Sequence, residues 1–215
     1  MPECVILIHG LGRTSFCLAL VHWWLQCAGW HVATAGYPSH RLTVQQIADT
    51  YIDRVVREQS QGGTVKLNFV THSMGGIVLR QYLATHTVTN LGRVVMLAPP
   101  NHGSEVVDAL KKCAVGRWIL GTGGAELGTA GVPGRIGPAR FELGVIAGDR
   151  SADPWFAHLF HEPNDGKVSV ESAKVDGMAD FLVVHQSHTW MMWHPATVRQ
   201  ILAFLERGRF ERGGR

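Results

Sequence analysis

Ser73 is the residue best placed for nucleophilic chemistry, because an apolar run ends and a helix begins around it. Residues 65–70 have the pattern of a short buried strand, and residues 77–83 have that of a buried helix face. A serine at such a junction sits on a sharp turn that exposes its hydroxyl. Gly75 and Gly76 let the helix begin close to the strand, since neither carries a Cβ. The pattern predicts a nucleophile, and a Ser/Gly-rich loop without chemistry is the plainer alternative.

A serine hydroxyl attacks only when a base takes its proton, and the base needs an acid that holds its tautomer. His188 directly follows the last apolar strand, and Asp165 lies in an Asn-Asp-Gly turn upstream of it. We therefore predict Ser73, His188 and Asp165 as nucleophile, base and acid. The other candidates considered are His185 and His194 as bases, and Asp149 and Asp153 as acids.

Two backbone segments could stabilise negative charge beside Ser73. Met74 would be the first residue of the helix, so its N–H would point at negative charge that develops beside Ser73. The glycine-rich turn Gly10-Leu11-Gly12 follows the first apolar strand and would leave N–H groups unpaired. That turn could also be an ordinary strand–helix connection or, more weakly, a dinucleotide loop.

The elements that must position these residues alternate between strand and helix. This alternation is typical of a parallel, doubly wound sheet. The predicted strands are residues 4–8, 31–35, 65–70, 93–98, 141–147 and 181–184. The predicted helices are residues 15–28, a long helix that Thr43 caps and Gln61-Gly62-Gly63 ends, and residues 77–83, 104–113 and 195–207.

We expect the whole chain, residues 1–215, to form a single domain. Residues 114–140 interrupt the alternation, because Gly, Ala and Pro dominate there. A long loop inside a compact domain is usually functional, so this segment is either a short flap over the pocket or a surface excursion. Residues 208–215 are arginine-rich and are expected to be a solvated, frayed tail.

The composition excludes several classes of protein. Hydrophobic residues make up 46% and charged residues 17% of the chain, which is ordinary for a globular protein and argues against disorder. A net charge of +3 is too small to indicate nucleic-acid binding. No apolar stretch reaches the about 18 residues of a membrane span, so stable membrane insertion is not expected.

Cysteines and histidines suggest neither a disulfide framework nor a metal site. The four cysteines have irregular spacing, and we interpret them as buried free thiols in a reducing, cytoplasmic location; secretion remains open if a leader was removed. His158 and His161 have helical spacing, but no recognisable ligand set accompanies them. No metal is therefore predicted.

Taken together, these stretches resemble the small bacterial α/β-hydrolases of the lipase and esterase type. The resemblance is carried by His9-Gly10-Leu11-Gly12-Arg13-Thr14, Tyr37-Pro38-Ser39, Thr71-His72-Ser73-Met74-Gly75-Gly76, Leu97-Ala98-Pro99-Pro100-Asn101-His102-Gly103-Ser104, Asn164-Asp165-Gly166 and Ser187-His188-Thr189. Thr71 departs from the usual Gly-x-Ser-x-Gly pattern. The chain also starts at what would be the third strand of typical members.

The resemblance implies an α/β-hydrolase fold with helices on both faces of a reduced, mostly parallel sheet of about six strands. It also implies the order serine, acid, histidine along the chain, and the Leu11 N–H as second oxyanion donor beside Met74. The implied reaction needs no cofactor.

The activity expected is hydrolysis of carboxylic esters with short to medium acyl chains, through an acyl-enzyme. Apolar residues near the predicted triad suggest a pocket wall, although such residues are often simply core. Trp190, Met191, Met192 and Trp193 follow His188, and Trp155, Phe156, Leu159 and Phe160 precede Asp165. Trp118, from residues 114–140, is a further candidate. An acyltransferase or thioesterase would use the same triad, and a non-catalytic binder of small apolar ligands is a further alternative. The oligomeric state is not predictable from the sequence.

Overall fold

The computed structural model describes residues 3–61, 65–152 and 154–212. One sheet of six strands, all parallel to their neighbours, has the order β2-β1-β3-β4-β5-β6. The strands are β1 (Glu3–Ile8), β2 (His31–Ala35), β3 (Lys66–His72), β4 (Leu91–Leu97), β5 (Leu143–Gly148) and β6 (Asp180–Val184). The predicted parallel sheet is therefore confirmed.

Eight α-helices connect or flank the strands in the described part of the chain. They are α1 (Ala19–Cys27), α2 (Val44–Ile47), α3 (Asp53–Ser60), α4 (Met74–Thr85), α5 (Glu105–Leu110), α6 (Ala114–Ala125), α7 (Val170–Ala173) and α8 (Pro195–Arg207). A π-turn at Ala48–Ile52 joins α2 to α3, so the long helix predicted from residue 43 forms with a local irregularity. Gly62 and Gly63, predicted to end it, lie outside the described residues.

The helices cover both faces of the sheet, as predicted. In β1, Cys4, Ile6 and Ile8 pack into one core, and Val5 and Leu7 pack into the other. This division follows from the alternation of side chains along a strand. The first core also contains the inner faces of α2, α3 and α4, and the second contains those of α1 and α8. Burial on both faces explains why residues 4–8 of β1 are all apolar.

Residues 114–140, called the covering segment below, are more ordered than the loop expected from their composition. They contain α6, in which two helical pieces meet at a kink at Gly121 (φ 60°, ψ −166°), and a 3₁₀ turn at Pro133–Arg135. Glycine costs about 1 kcal/mol per residue in a helix, but here it permits close packing. A Cβ on Gly124 would lie 2.6 Å from the Leu11 side chain, and one on Gly123 would lie 2.6 Å from the Leu42 carbonyl.

Residues 208–212 differ from the frayed tail that was expected. Phe210 is buried against Phe204 of α8, and its N–H donates to Asp180 Oδ2 over 2.8 Å. The arginine-rich composition suggested a solvated end, but one aromatic side chain anchors residues 208–212 to the sheet. Residues 213–215 lie outside the described part.

The cysteines are free, as predicted, but only Cys4 is fully buried. Cys27 and Cys113 are exposed, because both lie at helix ends that face solvent. In the described residues, no helix combines the length and the hydropathy needed to cross a membrane.

Candidate active site

The candidate site lies where the winding direction of the sheet reverses. From β1 the chain proceeds to β2 on one side, while β3 pairs with β1 on the other side. In open parallel sheets, ligands bind in the crevice at the carboxyl ends of the strands at such a point. The turn after β1 and the turn after β3 meet there: a Cβ on Gly10 would be 3.0 Å from Ser73 Cβ.

Ser73 occupies a strained turn between β3 and α4. Its φ of 53° and ψ of −125° are rare for a residue with a side chain, and such strain concentrates at functional sites. Ser73 N–H donates to the Leu97 carbonyl over 2.8 Å, and the Gly76 N–H donates to the Ser73 carbonyl over 2.9 Å. Gly75 is required by packing, because a Cβ there would lie 2.6 Å from the carbonyl oxygens of Ile8 and His9.

Thr71 takes the place of the usual first glycine of the motif and is fully buried. Its Oγ1 would be 3.2 Å from a Cβ on Gly76, and it has no hydrogen-bond partner in the described residues. The threonine therefore fits under the turn because Gly76 leaves room for it.

Ser73, His188 and Asp165 form one chain of hydrogen bonds. Ser73 Oγ lies 3.0 Å from His188 Nε2, and His188 Nδ1 lies 2.8 Å from Asp165 Oδ2. Because the carboxylate accepts from Nδ1–H, the Nε2 lone pair faces the serine hydroxyl. His188 and Asp165 are 5% and 1% exposed, so water does not compete for this pair.

The Asn-Asp-Gly turn holds the Asp165 carboxylate rigidly. Its Oδ1 accepts the N–H groups of Lys167 and Val168, both over 2.9 Å, while Oδ2 faces the imidazole. The Asp165 carbonyl also accepts the His188 N–H over 3.0 Å. The acid thus binds both the ring and the backbone of the predicted base.

Three of the alternative residues lie elsewhere. His185 Nδ1 and Asp149 Oδ1 pair with each other over 2.9 Å at the exposed edge of the sheet. His194 caps the N-terminus of α8, where its Nδ1 accepts the Ala196 N–H over 3.3 Å. Asp153 lies outside the described residues.

His72, immediately before the serine, was not predicted to have a role in the site. It is buried, and its Nε2–H donates to the His188 carbonyl over 2.9 Å. Burial holds the pKa of His72 well below its ordinary value, and repulsion from His188 lowers it further. His72 therefore stays neutral while it fixes the backbone of the base. The His-Ser dipeptide itself was the signal that the sequence offered.

His9 and Tyr37 orient the peptide unit that carries the Leu11 N–H. His9 Nδ1–H donates to the Gly10 carbonyl over 2.9 Å, and Nε2 accepts the Tyr37 N–H over 3.3 Å. The two rings stack 4.1 Å apart, and the Tyr37 hydroxyl donates to the His9 carbonyl. The Gly10 carbonyl and the Leu11 N–H point in opposite directions from one planar unit. The bond to His9 therefore fixes the direction of that N–H.

Ser73 opens into a largely apolar cavity of about 450 Å³. Its apolar wall comes mainly from α5, the covering segment and the loops that face them. These residues are Leu11, Val106, Val107, Leu110, Ile119, Leu120, Leu127, Phe156 and Val168. The polar part of the lining is formed by Arg13, His40, His72, Ser104, Lys167 and His188.

Four of the residues predicted to line the pocket do not line this cavity. Trp118, Trp155 and Trp190 are 82%, 76% and 63% exposed, and Met191 is buried in the core under α1 and α8. Position in the sequence alone was misleading, because neighbours along a helical turn point in different directions. Phe156, which was also predicted, does line the cavity, and so does Ile119, the neighbour of Trp118.

Metal ligation has no geometric support in residues 3–61, 65–152 and 154–212. No group of three or more His, Cys, Asp or Glu side chains there is arranged to hold an ion.

Comparisons with known proteins find likeness in structure alone. No protein-family profile and no curated protein sequence matches the chain. Phospholipase PlaB from Legionella pneumophila matches with a TM-score of 0.78 at 18% identity, over 97% of this chain and 60% of the phospholipase. Mature lipase BlEst2 from Bacillus licheniformis gives 0.71 at 19% identity, over 93% and 88% of the two chains. A bromoperoxidase from Bacillus anthracis gives 0.68 at 12% identity, over 96% and 92%.

At these identities the likeness establishes the fold, which is the α/β-hydrolase fold predicted from the sequence. The chain spans about 60% of the length of the phospholipase. Proteins named as a lipase and as a bromoperoxidase share this architecture, so the activity must be argued from the site.

Proposed function

We propose that this protein hydrolyses carboxylic esters with short to medium acyl chains through an acyl-enzyme on Ser73. The observation that carries the proposal is the continuous hydrogen-bonded chain Ser73–His188–Asp165 at the mouth of an apolar cavity. A serine, a neutral histidine and a buried carboxylate in this order are the parts that acyl transfer requires. The phospholipase and lipase neighbours of the fold agree with this chemistry.

In the proposed first step, Ser73 Oγ attacks the ester carbonyl and His188 Nε2 takes the hydroxyl proton. The N–H groups of Met74 and Leu11 donate to the oxyanion that forms. The bond from the carbonyl carbon to the alcohol oxygen then breaks, and His188 gives its proton to that oxygen. Water next attacks the acyl carbon on Ser73, with His188 again as base. The bond from that carbon to Ser73 Oγ then breaks, His188 returns the proton to Oγ, and the carboxylic acid leaves.

The cavity supports the choice of acyl chain. Its volume of about 450 Å³ lies towards the lower end of ligand sites, which range over about 300–1,000 Å³. The walls from α5 and the covering segment are aliphatic, which suits an acyl chain. Leu120 is only 2% exposed and belongs to this wall, so the covering segment limits the space available for the chain.

The decisive experiment compares wild type with Ser73→Ala on p-nitrophenyl esters from acetyl to palmitoyl. We expect Ser73→Ala to reduce kcat at least about 10³-fold and to keep the thermal unfolding midpoint of wild type. A fluorophosphonate probe should label wild type and leave the variant unlabelled. Substantial residual turnover in the variant would exclude Ser73 as nucleophile. A rate that rises steadily up to palmitoyl would overturn the chain-length part of the proposal.

A further inference from the structure

The lining of the cavity includes the guanidinium group of Arg13 and, among the described residues, no Asp or Glu. Asp165 is close by, but it lies behind His188 and is engaged with that ring and with two backbone N–H groups. A cavity that accepted only neutral, apolar esters would have no need of a guanidinium group at its mouth.

Arg13 is held beside the base. Its Nη2 donates to Thr189 Oγ1 over 3.1 Å, and Thr189 directly follows His188. Within residues 3–61, 65–152 and 154–212, Thr189 is the hydrogen-bond partner of the Arg13 side chain, and no carboxylate pairs with Arg13. One bond to threonine leaves most donors of the guanidinium available for another group. The side chain is therefore oriented without being neutralised.

The position of Arg13 also identifies the half of the ester it would face. This step rests on the proposed function: His188 must pass its proton to the alcohol oxygen, so the alcohol leaves on the side of His188. Arg13 lies on that side, because it donates a hydrogen bond to Thr189, the residue after His188. The aliphatic wall comes from α5 and the covering segment. The acyl chain and the alcohol therefore meet different chemical surroundings.

We propose that Arg13 forms a subsite for an anionic group, a phosphate or a carboxylate, on the alcohol half of the substrate ester. A guanidinium binds both groups through paired N–H···O bonds, and its charge persists at every working pH. The substrate class is then an amphiphilic ester with an aliphatic acyl chain and a negatively charged alcohol. Arg13 determines the choice of alcohol and takes no part in bond breaking.

The test uses substrates that differ only in this group. Hydrolysis of octanoylglycerol phosphate, the octanoyl ester of glyceric acid and neutral octanoylglycerol is measured with wild type, Arg13→Gln, Arg13→Lys and Arg41→Gln. We expect wild type to have a higher kcat/KM for an anionic ester than for the neutral one. In Arg13→Gln the ratio of these two kcat/KM values should fall about 10-fold. Arg13→Lys should restore part of it. Arg41→Gln, which removes an exposed charge outside the cavity lining, should behave as wild type.

The outcomes separate this subsite from the proposed hydrolysis itself. A preference for the phosphate over the carboxylate ester, or the reverse, identifies the group that Arg13 binds. Equal loss on charged and neutral esters in Arg13→Gln would mean that Arg13 only supports the loop of His188, and would overturn the proposal. Equal rates on all three esters in wild type would do the same.

If wild type cleaves no ester at all, the hydrolase proposal fails and the subsite is tested by binding. Calorimetric titration with octyl phosphate and with octanol would then show tighter binding of the phosphate to wild type than to Arg13→Gln. Identical affinities of the two proteins for octyl phosphate would reject the subsite.

Discussion

The Asp165–His188 and Asp149–His185 pairs have nearly the same geometry at the same edge of the sheet. Their Nδ1–carboxylate distances are 2.8 and 2.9 Å. The histidine and aspartate side chains are 6% and 1% exposed in the first pair, and 76% and 35% exposed in the second. Among the described residues, a serine lies at the other ring nitrogen of the first pair and none lies there in the second. Both pairs consist of the same two residue types at nearly the same distance. Their burial and their contacts with other residues are what differ.

The buried pair is also attached at more points. The Asp165 carboxylate accepts two backbone N–H groups, and its carbonyl accepts the His188 N–H. The His188 carbonyl accepts from His72. Exposed pairs are screened by water and contribute between 0 and about 1 kcal/mol. We therefore expect large effects from changes in the buried pair and small ones from the same changes in the exposed pair.

The largest contrast should come from Asp165→Asn and Asp149→Asn. In the first variant the amide can keep its backbone contacts, but it can present N–H to His188 Nδ1 and favour the wrong tautomer. We expect kcat on p-nitrophenyl esters to fall about 10³–10⁴-fold, with the fold retained by circular dichroism. Asp149→Asn should be as active as wild type. Equal activity of the two variants would contradict the assignment of the acid.

A smaller effect should follow from removing the support under His188. His72→Phe leaves the His188 carbonyl without its donor, which costs about 1–3 kcal/mol in a buried site. We expect kcat to fall about 10-fold because the base loop is less well positioned. His72→Gln can place an N–H at a similar position and should recover part of the rate. An unchanged kcat in His72→Phe would show that His188 needs no such support.

The smallest effect concerns stability and pH. The pKa of His72, and that of His9 through burial, is lowered in the folded protein. Below about pH 6.5, the unfolded chain therefore binds protons that the folded chain does not. As the pH is lowered, the free energy of unfolding decreases by up to about 1.4 kcal/mol per pH unit for each histidine.

Urea unfolding at about pH 7 and about pH 5 measures this effect. His72→Gln should show a weaker dependence than wild type, whereas His185→Gln, at an exposed position, should keep the wild-type dependence. The same slope in wild type and His72→Gln would mean that His72 binds its proton equally in both states.

Much of the fold and of the candidate site could be predicted from the sequence, because local patterns encode them. Apolar runs marked all six strands, and α8 has the bounds predicted for it, residues 195–207. Ser73 could be found because an elbow needs small residues after a buried strand. Asp165 could be selected because a tight Asn-Asp-Gly turn can hold a carboxylate in one position.

Only the tertiary structure decided which side chains line the cavity. Trp118 and Leu120 lie two residues apart, yet one is 82% and the other 2% exposed, since the facing loops contact only one side of α6. Composition also misjudged the covering segment, because Gly121 turns the chain between two short helical pieces and close packing at Gly123 and Gly124 compensates for the low helix propensity of glycine. Likewise, Phe210 is buried only because α8 returns it to the sheet. Local secondary structure depends on residues that are adjacent in the sequence, whereas the burial of a side chain depends on tertiary contacts with distant parts of the chain.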